Sequence, residues 1–140
     1  MNRKSVAAVV GTLVMALAVS GVALAAESGP SVTVQVKSTS KTLLKPTAVH
    51  GEKGSITKGG TPKGKCPGNS AAGALDAATH GKWTAKYFAS LHDIFITSIL
   101  GVKPPGKDFW EIVVNGKPAS TGACEIKLAA GQKLLFKIAK

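Results

Sequence analysis

The sequence predicts an α+β fold, in which a single helix covers one face of a mixed or antiparallel β-sheet. Several short stretches alternate apolar and polar side chains, one segment has a helical pattern with capping residues, and turn residues separate them. The strongest strand pattern lies at 109–114, where Trp110 begins an alternating run. Asn115 and Gly116 follow, and both tolerate the positive φ angles of a tight type I′ hairpin turn.

Residues 31–37 and 42–49 are predicted to form the first two strands, paired as a hairpin. In the first strand three valines alternate with polar residues, which is typical of a strand with one buried face. Pro46 has no backbone N–H group to donate, so the second strand is expected at a sheet edge or at a β-bulge.

Residues 50–69 are rich in glycine and lysine and are predicted to form a long flexible loop. Ile56 is its only large aliphatic side chain, and it is a candidate for a short additional strand. Cys66 is expected to tie the far end of this loop to the core.

Residues 70–80 carry the one clear helical pattern. Asn69 or Ser70 can accept hydrogen bonds from the free N–H groups of the first turn, and Gly81 stands where a left-handed residue often ends a helix. Small apolar residues share one face of this helix. It is therefore expected to lie close against the sheet and to cover it.

The remaining strands are predicted at 82–88, 91–100, 109–114, 117–120, 124–128 and 133–138. The first of these also fits irregular structure, and in the second the β-branched residues favour a strand over a helix. A layout of two strands, one helix and then a further run of strands fits a β-grasp-like arrangement. A small β-sandwich that carries one helix is the alternative.

Residues 1–25 are predicted to be a secretory signal peptide. Two basic residues precede an almost wholly apolar stretch at 6–24, and the small residues around Ala25 match a signal-peptidase site, with the cut after Ala25. The alternative is an uncleaved membrane anchor, because about 20 apolar residues can span a bilayer. Residues 26–140 are then one exported domain, secreted or held in the cell envelope.

Cys66 and Cys124 are the only cysteines, and in an exported chain two cysteines are expected to form a disulfide bond. In the chain-entropy treatment, a bridge that closes so long a loop stabilises the fold by about 4 kcal/mol. The alternative is a nucleophilic cysteine with a histidine partner.

The chain carries 18 basic and 7 acidic residues, a formal net charge of +11. After residue 25 every basic residue is a lysine, whereas bidentate recognition of bases and phosphates favours arginine. Sequence-specific nucleic-acid binding is therefore not expected. A lysine-rich surface suits solubility, or attraction to anionic lipids or to an anionic envelope polymer such as teichoic acid.

No catalytic or metal-binding motif stands out in the sequence. His50, His80 and His92 are scattered over a loop, a helix end and a strand start, and none belongs to a metalloprotease or nucleophile-elbow motif. The chain is therefore predicted not to be an enzyme, and no catalytic residue, metal site or cofactor is expected from the residues themselves.

Trp83, Tyr87, Phe95 and Trp110 are candidates for the wall of a small-molecule site, because such pockets are mostly apolar with a few polar groups. The alternative is the core of a small domain, which needs large side chains to bury enough area. Core packing is favoured for Phe95 and Trp110, whereas polar neighbours leave both explanations open for Trp83 and Tyr87. Asn115 completes the predicted ligand-binding set, although its place in the turn also explains it.

Six short motifs follow one another between residues 31 and 138. They are Cys66-Pro67-Gly68, Ala-Ala-Gly-Ala-Leu at 71–75, Phe95-Ile96-Thr97-Ser98-Ile99-Leu100-Gly101, Trp110-x4-Asn115-Gly116, Ser120-Thr121-Gly122-x-Cys124 and Leu128-x2-Gly131-x2-Leu134. In this order they resemble the transcobalamin-like C-terminal domain, a family of bacterial secreted domains of unknown function. The resemblance covers nearly all of the predicted exported domain.

In vitamin B12 carrier proteins the corresponding small β-rich domain closes over one face of the corrinoid, and a separate helical domain supplies the other half of the site. The resemblance therefore implies a non-catalytic binding domain, with a corrinoid-like small molecule or a cell-surface partner as its ligand. The aromatic face beside the Trp110 hairpin is the expected binding surface. The alternatives are a lysine-mediated binder of anionic envelope polymers and an accessory part of a larger surface assembly.

Overall fold

A computed structural model of the protein describes residues 29–140. The predicted signal peptide at 1–25 lies outside the described residues. Within them, no helix combines the length and apolar character that crossing a membrane requires.

The described residues form seven β-strands and one α-helix. In chain order these are β1 (Ser31–Lys37), β2 (Thr42–His50), α1 (Ala71–Thr79), β3 (Trp83–Phe88), β4 (Asp93–Ile99), β5 (Phe109–Val114), β6 (Lys117–Pro118) and β7 (Lys133–Ala139). A single 3₁₀ turn, Lys58–Gly60, lies between β2 and α1. The chain is therefore mostly sheet with one helix, which agrees with the predicted α+β class.

The strands form two sheets, where the sequence predicted one. The larger sheet has the order β2-β1-β7-β5-β6, in which β1 and β7 run parallel and the other neighbours run antiparallel. The smaller sheet is the antiparallel pair β3-β4, and β4 contacts β5 without pairing with it. Alternation along a strand shows which side chains share a face, but it does not show which strand becomes the neighbour.

Pro46 has both of the consequences that were predicted for it. Strand β2 lies at an edge of the larger sheet, and its pairing with β1 is interrupted where Lys45 and Pro46 together lie opposite the single residue Gln35. This is a β-bulge, which takes up the residue that has no N–H group to give to the ladder.

Helix α1 is capped by Ser70, whose hydroxyl oxygen accepts a hydrogen bond from the N–H of Gly73 at 3.5 Å. At the other end both His80 and Gly81 have positive φ angles, of 52° and 75°. The sequence predicted Gly81 alone in this role. Histidine is one of the non-glycine residues that enter the left-handed region most often.

The small residues of α1 are buried as predicted, and the helix packs on β1 and β2. Gly73 lies against the backbone of Gly68, at a separation that leaves no room for a Cβ atom. The helix can therefore approach the preceding segment closely only because this position is glycine.

The long loop is attached to the rest of the fold at several points. Ile56 is buried, and its N–H donates to the carbonyl of Cys66 at 2.8 Å, beside an isolated β-bridge between Ser55 and Pro67. Cys66 is bonded to Cys124, with the two Cα atoms 4.7 Å apart. The predicted disulfide is thus confirmed, and Ile56 marks a single bridge instead of a full extra strand.

The strand predicted at 124–128 is wrong. This segment makes one isolated bridge, from Lys127 to Ser70, and belongs to neither sheet. Its side chains nevertheless alternate between buried and exposed, with Cys124, Ile126 and Leu128 inward. The alternation reflects an extended chain that covers the core beside α1, and such a chain has the same period as a paired strand.

Candidate ligand-binding site

An apolar cleft opens at the end of the β3-β4 hairpin. It is lined by Phe88, Leu91 and Phe95, the exposed large apolar side chains of the described residues, with exposed fractions of 38%, 67% and 48%. The cavity that they border has a volume of about 520 Å³. A contiguous group of exposed large apolar side chains is characteristic of a binding surface.

The hairpin exposes these side chains because only one of its faces meets the core. Tyr87 and Ile94 lie opposite each other on the core side, whereas Lys86 and Phe95 are paired on the outer side. The ammonium nitrogen of Lys86 lies 5.3 Å from the centroid of the Phe88 ring, so a cation already occupies part of that aromatic face.

The opposite wall of the cleft is formed by residues 120–122, which follow β6. Gly122 lies so close to the side chain of Asp93 that a Cβ atom at this position would overlap the carboxylate. Because the φ angle of Gly122 is not positive, close packing is what requires glycine here. Glu125 completes the lining on this side.

Asp93 is the buried polar group of the cleft, with an exposed fraction of 7%. Its Oδ1 accepts hydrogen bonds from the N–H of Ile94 at 2.8 Å and from the N–H of Cys124 at 3.1 Å. Neither ion pair found in the described residues involves this carboxylate. Asp93 thus holds the 120–124 segment in place through one oxygen.

A smaller cavity of about 310 Å³ adjoins the cleft between β4 and β5 and shares Phe95 and Thr121 with it. Trp110 is part of its lining and is 5% exposed. Among the described residues, the indole Nε1 of Trp110 is the one fully buried side-chain nitrogen or oxygen without a hydrogen-bond partner. An unpaired buried donor costs about 1–3 kcal/mol, so this atom marks a place for an acceptor.

The structure places Trp83, the first of the predicted site residues, away from the cleft. It is 3% exposed, and its indole Nε1 donates a hydrogen bond to Oδ1 of Asp76 at 2.6 Å. The ammonium nitrogen of Lys58 lies 5.2 Å from the centroid of its ring. Trp83 therefore joins the helix to β3 and to the long loop.

The other predicted residues are also separated from one another. Tyr87 is half-buried and packs against the core, while Asn115 is exposed in the β5–β6 turn with a φ angle of 49°. Oδ1 of Asn115 accepts a hydrogen bond from the N–H of Lys133 at 2.8 Å, which ties the turn to β7. Of the four predicted residues, only Trp110 lines either of the two cavities. Their role as a ligand site stays a prediction.

Sequence reasoning missed Phe88, Leu91 and Asp93 as site residues, and for Phe95 it favoured the core over the wall of a site, which is wrong. Phe95 occupies the outer face of the two-stranded sheet, and the described residues leave 48% of it exposed. One feature of the sequence could have indicated the cleft. Leu91 is a large apolar residue next to the turn between two strands, where a side chain is not expected to be buried in the core.

A pair of carboxyl groups lies on the far side of the fold, beside Trp83. The pKa of Glu52 is raised from 4.5 to about 7, first by burial and then by the hydrogen bond with Asp76 and the negative charge of Asp76, while Lys58 acts in the opposite direction. The ammonium nitrogen of Lys58 lies 3.8 Å from Asp76 and donates a hydrogen bond to the carbonyl of Gly81 at 2.7 Å. This cluster connects the long loop to the end of α1.

The described residues contain no group of three or more side chains suited to holding a metal ion. His50 donates a hydrogen bond through Nδ1–H to the carbonyl of Gly29 at 2.6 Å, a contact that joins the end of β2 to the residues before β1. Cys66 and Cys124 are bonded to each other, and the described residues contain no free cysteine. The alternative of a nucleophilic cysteine is therefore wrong.

Comparison with known proteins gives a family and a fold. The sequence model of a family described as "Domain of unknown function (DUF4430)" matches residues 68–140. A crystal structure of haptocorrin in complex with Cbi has a similar fold, with a TM-score of 0.57 and 19% identity over 79% of this chain. A protein from Ruminococcus gnavus ATCC 29149, for which metal binding has been proposed, gives a TM-score of 0.55 and 12% identity over 80% of this chain.

The chain spans 25% of the haptocorrin chain but 98% of the Ruminococcus gnavus chain. No curated protein matches its sequence. The resemblance to the transcobalamin-like C-terminal domain is thus confirmed by the family match together with the two structural neighbours. At identities this low, the structural neighbours establish the fold and nothing about the ligand.

Proposed function

The chain belongs to the DUF4430 family of domains of unknown function, and we propose that it is a non-catalytic domain that binds a small molecule. The binding site is the cleft between Phe88, Phe95 and the 120–122 segment, extended by the cavity beside Trp110. Small-molecule sites are concave, mostly apolar and provided with a few polar groups, as this cleft is.

The observation that carries this proposal is the unpaired indole Nε1 of Trp110. Buried donors in folded proteins nearly always have an acceptor, and each exception calls for an explanation such as a functional role or a bound water or ion. A ligand that enters from the cleft past Phe95 contacts Trp110 through the adjoining cavity, and it reaches the fully buried Nε1 only if the cavity lining moves aside. Its acceptor group then replaces the missing partner, and its apolar body covers the exposed rings.

The fold similarity supports a corrinoid-like molecule as one candidate ligand, since haptocorrin is the neighbour whose structure contains Cbi. This chain corresponds to a quarter of haptocorrin, so a ligand of that size needs a second protein surface to enclose it. We propose a β-grasp-like arrangement for the fold and a single domain at 26–140. Trp110 remains the member of the predicted set best placed to bind.

We also propose that the chain acts outside the cytosol, secreted or in the cell envelope. The disulfide between Cys66 and Cys124 supports this location, because structural disulfides persist in oxidising compartments. The predicted signal peptide at 1–25 would direct the export.

Native mass spectrometry of the chain purified from its own host tests the proposed function. We expect a co-purified small molecule that the variants Phe88→Ser and Phe95→Ser no longer retain. Both side chains are substantially exposed, so the fold should survive their loss. The control is Leu135→Ser, because Leu135 is a half-exposed apolar residue that lines a different cavity, beside Pro46.

A bound mass that persists in both phenylalanine variants would contradict the cleft as the site. A chain that is free of any bound molecule, and that binds none from host extract passed through a small-molecule filter, would contradict the proposed function.

A second candidate is binding of an anionic envelope polymer such as teichoic acid through the lysines. Lys53, Lys63 and Lys65 are all exposed within the long loop, and the whole chain is strongly basic. Co-sedimentation with teichoic acid over a salt series tests this candidate. Binding that disappears as ionic strength rises supports it, and absence of binding at low salt overturns it.

A further inference from the structure

We propose that the ligand of this cleft is an apolar organic cation, a molecule with an ammonium group attached to a hydrophobic body. This inference rests on the proposed function and adds the chemical class of the ligand. In the bound state the ammonium group lies against Asp93, and the hydrophobic body covers Phe88, Leu91 and Phe95.

The charged residues that line the cleft have the sign opposite to the net charge of the protein, and Lys86 approaches the cleft only at the Phe88 ring. The chain has 18 basic and 7 acidic residues, yet the two charged residues that line the cleft, Asp93 and Glu125, are both acidic. A cleft that concentrates one sign of charge between low-dielectric walls attracts ligands of the other sign. The cleft is therefore suited to a cation on a surface that otherwise repels cations.

Asp93 is unusually placed for a carboxylate. Its exposed fraction is only 7%, so it is 93% buried. The N–H groups of Ile94 and Cys124 donate hydrogen bonds to it, and both bonds go to Oδ1. Within the described residues Oδ2 receives no hydrogen bond from the protein, and no lysine forms an ion pair with it. Buried carboxylates are normally paired with a cation, so the missing partner is expected from outside.

The aromatic rings add a second attraction for the same group. An ammonium group over the face of an aromatic ring is favourable, and Lys86 already makes such a contact with Phe88 at 5.3 Å. Phe95 is 48% exposed and has no such cation in the described residues. A ligand ammonium between Asp93 and Phe95 therefore finds a carboxylate on one side and an aromatic face on the other.

An organic cation fits these residues better than a metal ion. The described residues contain no group of three metal-ligating side chains, and the cleft wall is mainly apolar. A hard metal ion would need several further oxygen ligands there, whereas an alkylammonium group needs one anion and an apolar surround.

Titration calorimetry with three probes that share one apolar body tests the inference. The probes are phenylbutylammonium, phenylbutanol and phenylbutanoate, and the protein is the full chain as its host produces it. We expect the ammonium probe to bind about tenfold more tightly than the alcohol, as a charge-assisted hydrogen bond would give. The carboxylate probe should bind more weakly than both.

The matched variant is Asp93→Asn, which keeps an oxygen that can accept from Ile94 and Cys124 but removes the charge. It should bring the affinity for phenylbutylammonium down to that for phenylbutanol and leave phenylbutanol unchanged. Glu125→Gln, at an exposed position, should lower only the ammonium affinity, by about threefold. The control Asp108→Asn removes a negative charge outside the cleft and should change neither affinity.

The outcomes separate the two proposals. If all three probes bind equally and Phe95→Ser abolishes their binding, the cleft is a small-molecule site but the ligand is not selected by its charge. If neither the ammonium probe nor the alcohol binds, this inference falls, and the native mass spectrometry of the chain and its phenylalanine variants decides the proposed function separately. If thermal unfolding shows that Asp93→Asn does not fold, Glu125→Gln is the test: the expected lower affinity for phenylbutylammonium supports the inference, and an unchanged affinity overturns it.

Discussion

At the scale of single residues, the contact between Gly122 and Asp93 fixes the shape of the cleft. A methyl group at position 122 would overlap the Asp93 carboxylate. We expect Gly122→Ala to lower the free energy of unfolding by about 1–3 kcal/mol, the usual cost of overpacking, and to displace the 120–124 segment. Urea denaturation followed by circular dichroism measures this cost.

Ser120→Ala, at an exposed neighbouring position, is the control and should be nearly neutral. A Gly122→Ala protein as stable as the parent would show that Asp93 can move aside freely.

Glu52 gives the molecule a pH-dependent stability. Its pKa in the folded state is about 7, above the value of 4.5 that it has when exposed, mainly because burial disfavours the charged carboxylate. The folded state therefore binds the proton more tightly than the unfolded state. The stability that Glu52 contributes is fully present below pH 4.5 and is lost as the pH rises through 7.

Glu52→Gln, which resembles the protonated acid, should remove this loss. The expected gain at about pH 8 is at most about 1 kcal/mol, because Glu52 is only half-buried and solvent screens its interactions. Thermal unfolding from about pH 4 to about pH 8 measures it, with Glu125→Gln as the control. An equal pH slope in the parent and in Glu52→Gln would refute the assignment.

Residue-level burial was only partly predictable from the sequence. The core position of Trp110 follows from its alternating strand, whereas Phe95 was placed in the core although it is exposed. Both strands alternate in the same way. What differs is whether a second layer covers the outer face, and that depends on contacts between segments distant in sequence.

At the scale of elements, the approach of α1 to the preceding segment depends on Gly73. Glycine to alanine in a helix ordinarily stabilises it by about 1 kcal/mol. Here a Cβ atom would overlap the Gly68 backbone, so we expect Gly73→Ala to destabilise the fold by about 1–3 kcal/mol. The sign of the change in the urea midpoint checks this.

The matched control is Ala77→Gly, at a half-exposed position on the same helix. It should destabilise by about 1 kcal/mol through helix propensity alone. Changes of opposite sign at the two positions would mean that propensity governs both and that the close contact is unimportant.

The disulfide bond also acts between elements, because it joins the long loop to the segment that forms the cleft wall. Cys66 and Cys124 are separated by 58 residues in sequence. The double variant Cys66→Ala/Cys124→Ala should lose about 4 kcal/mol of stability, most of it through the freer unfolded chain. Chemical denaturation of the two proteins at equal pH measures this difference.

A loss below about 1 kcal/mol would show that the loop is held by its hydrogen bonds and by Ile56 rather than by the bridge.

Most elements could be predicted from the sequence because their signals are local. Pro46 indicated an edge strand, Asn115-Gly116 a tight turn, and Ser70 a helix start, each through its own backbone chemistry. The segment 124–128 was predicted wrongly as a strand, because an extended chain packed on a core has the same alternation as a paired strand.

At the scale of the whole molecule, the α+β class, the disulfide and the family resemblance followed from the sequence, but the cleft did not. The cleft joins the β3-β4 hairpin to residues 120–125, and their meeting depends on the Asp93 hydrogen bond to Cys124. No local pattern encodes this contact. The separation into two sheets has the same origin, since β4 lies beside β5 without pairing.

The two tryptophans provide the most direct test of the cleft as a ligand site. The indole N–H of Trp83 is already bonded to Asp76, whereas that of Trp110, a residue of the smaller cavity, has no partner among the described residues. In an NMR titration of the chain with phenylbutanol, whose hydroxyl oxygen can accept a hydrogen bond, we expect the Trp110 indole resonance to shift while the Trp83 resonance stays in place. Saturable binding that leaves the Trp110 resonance unmoved would contradict this expectation.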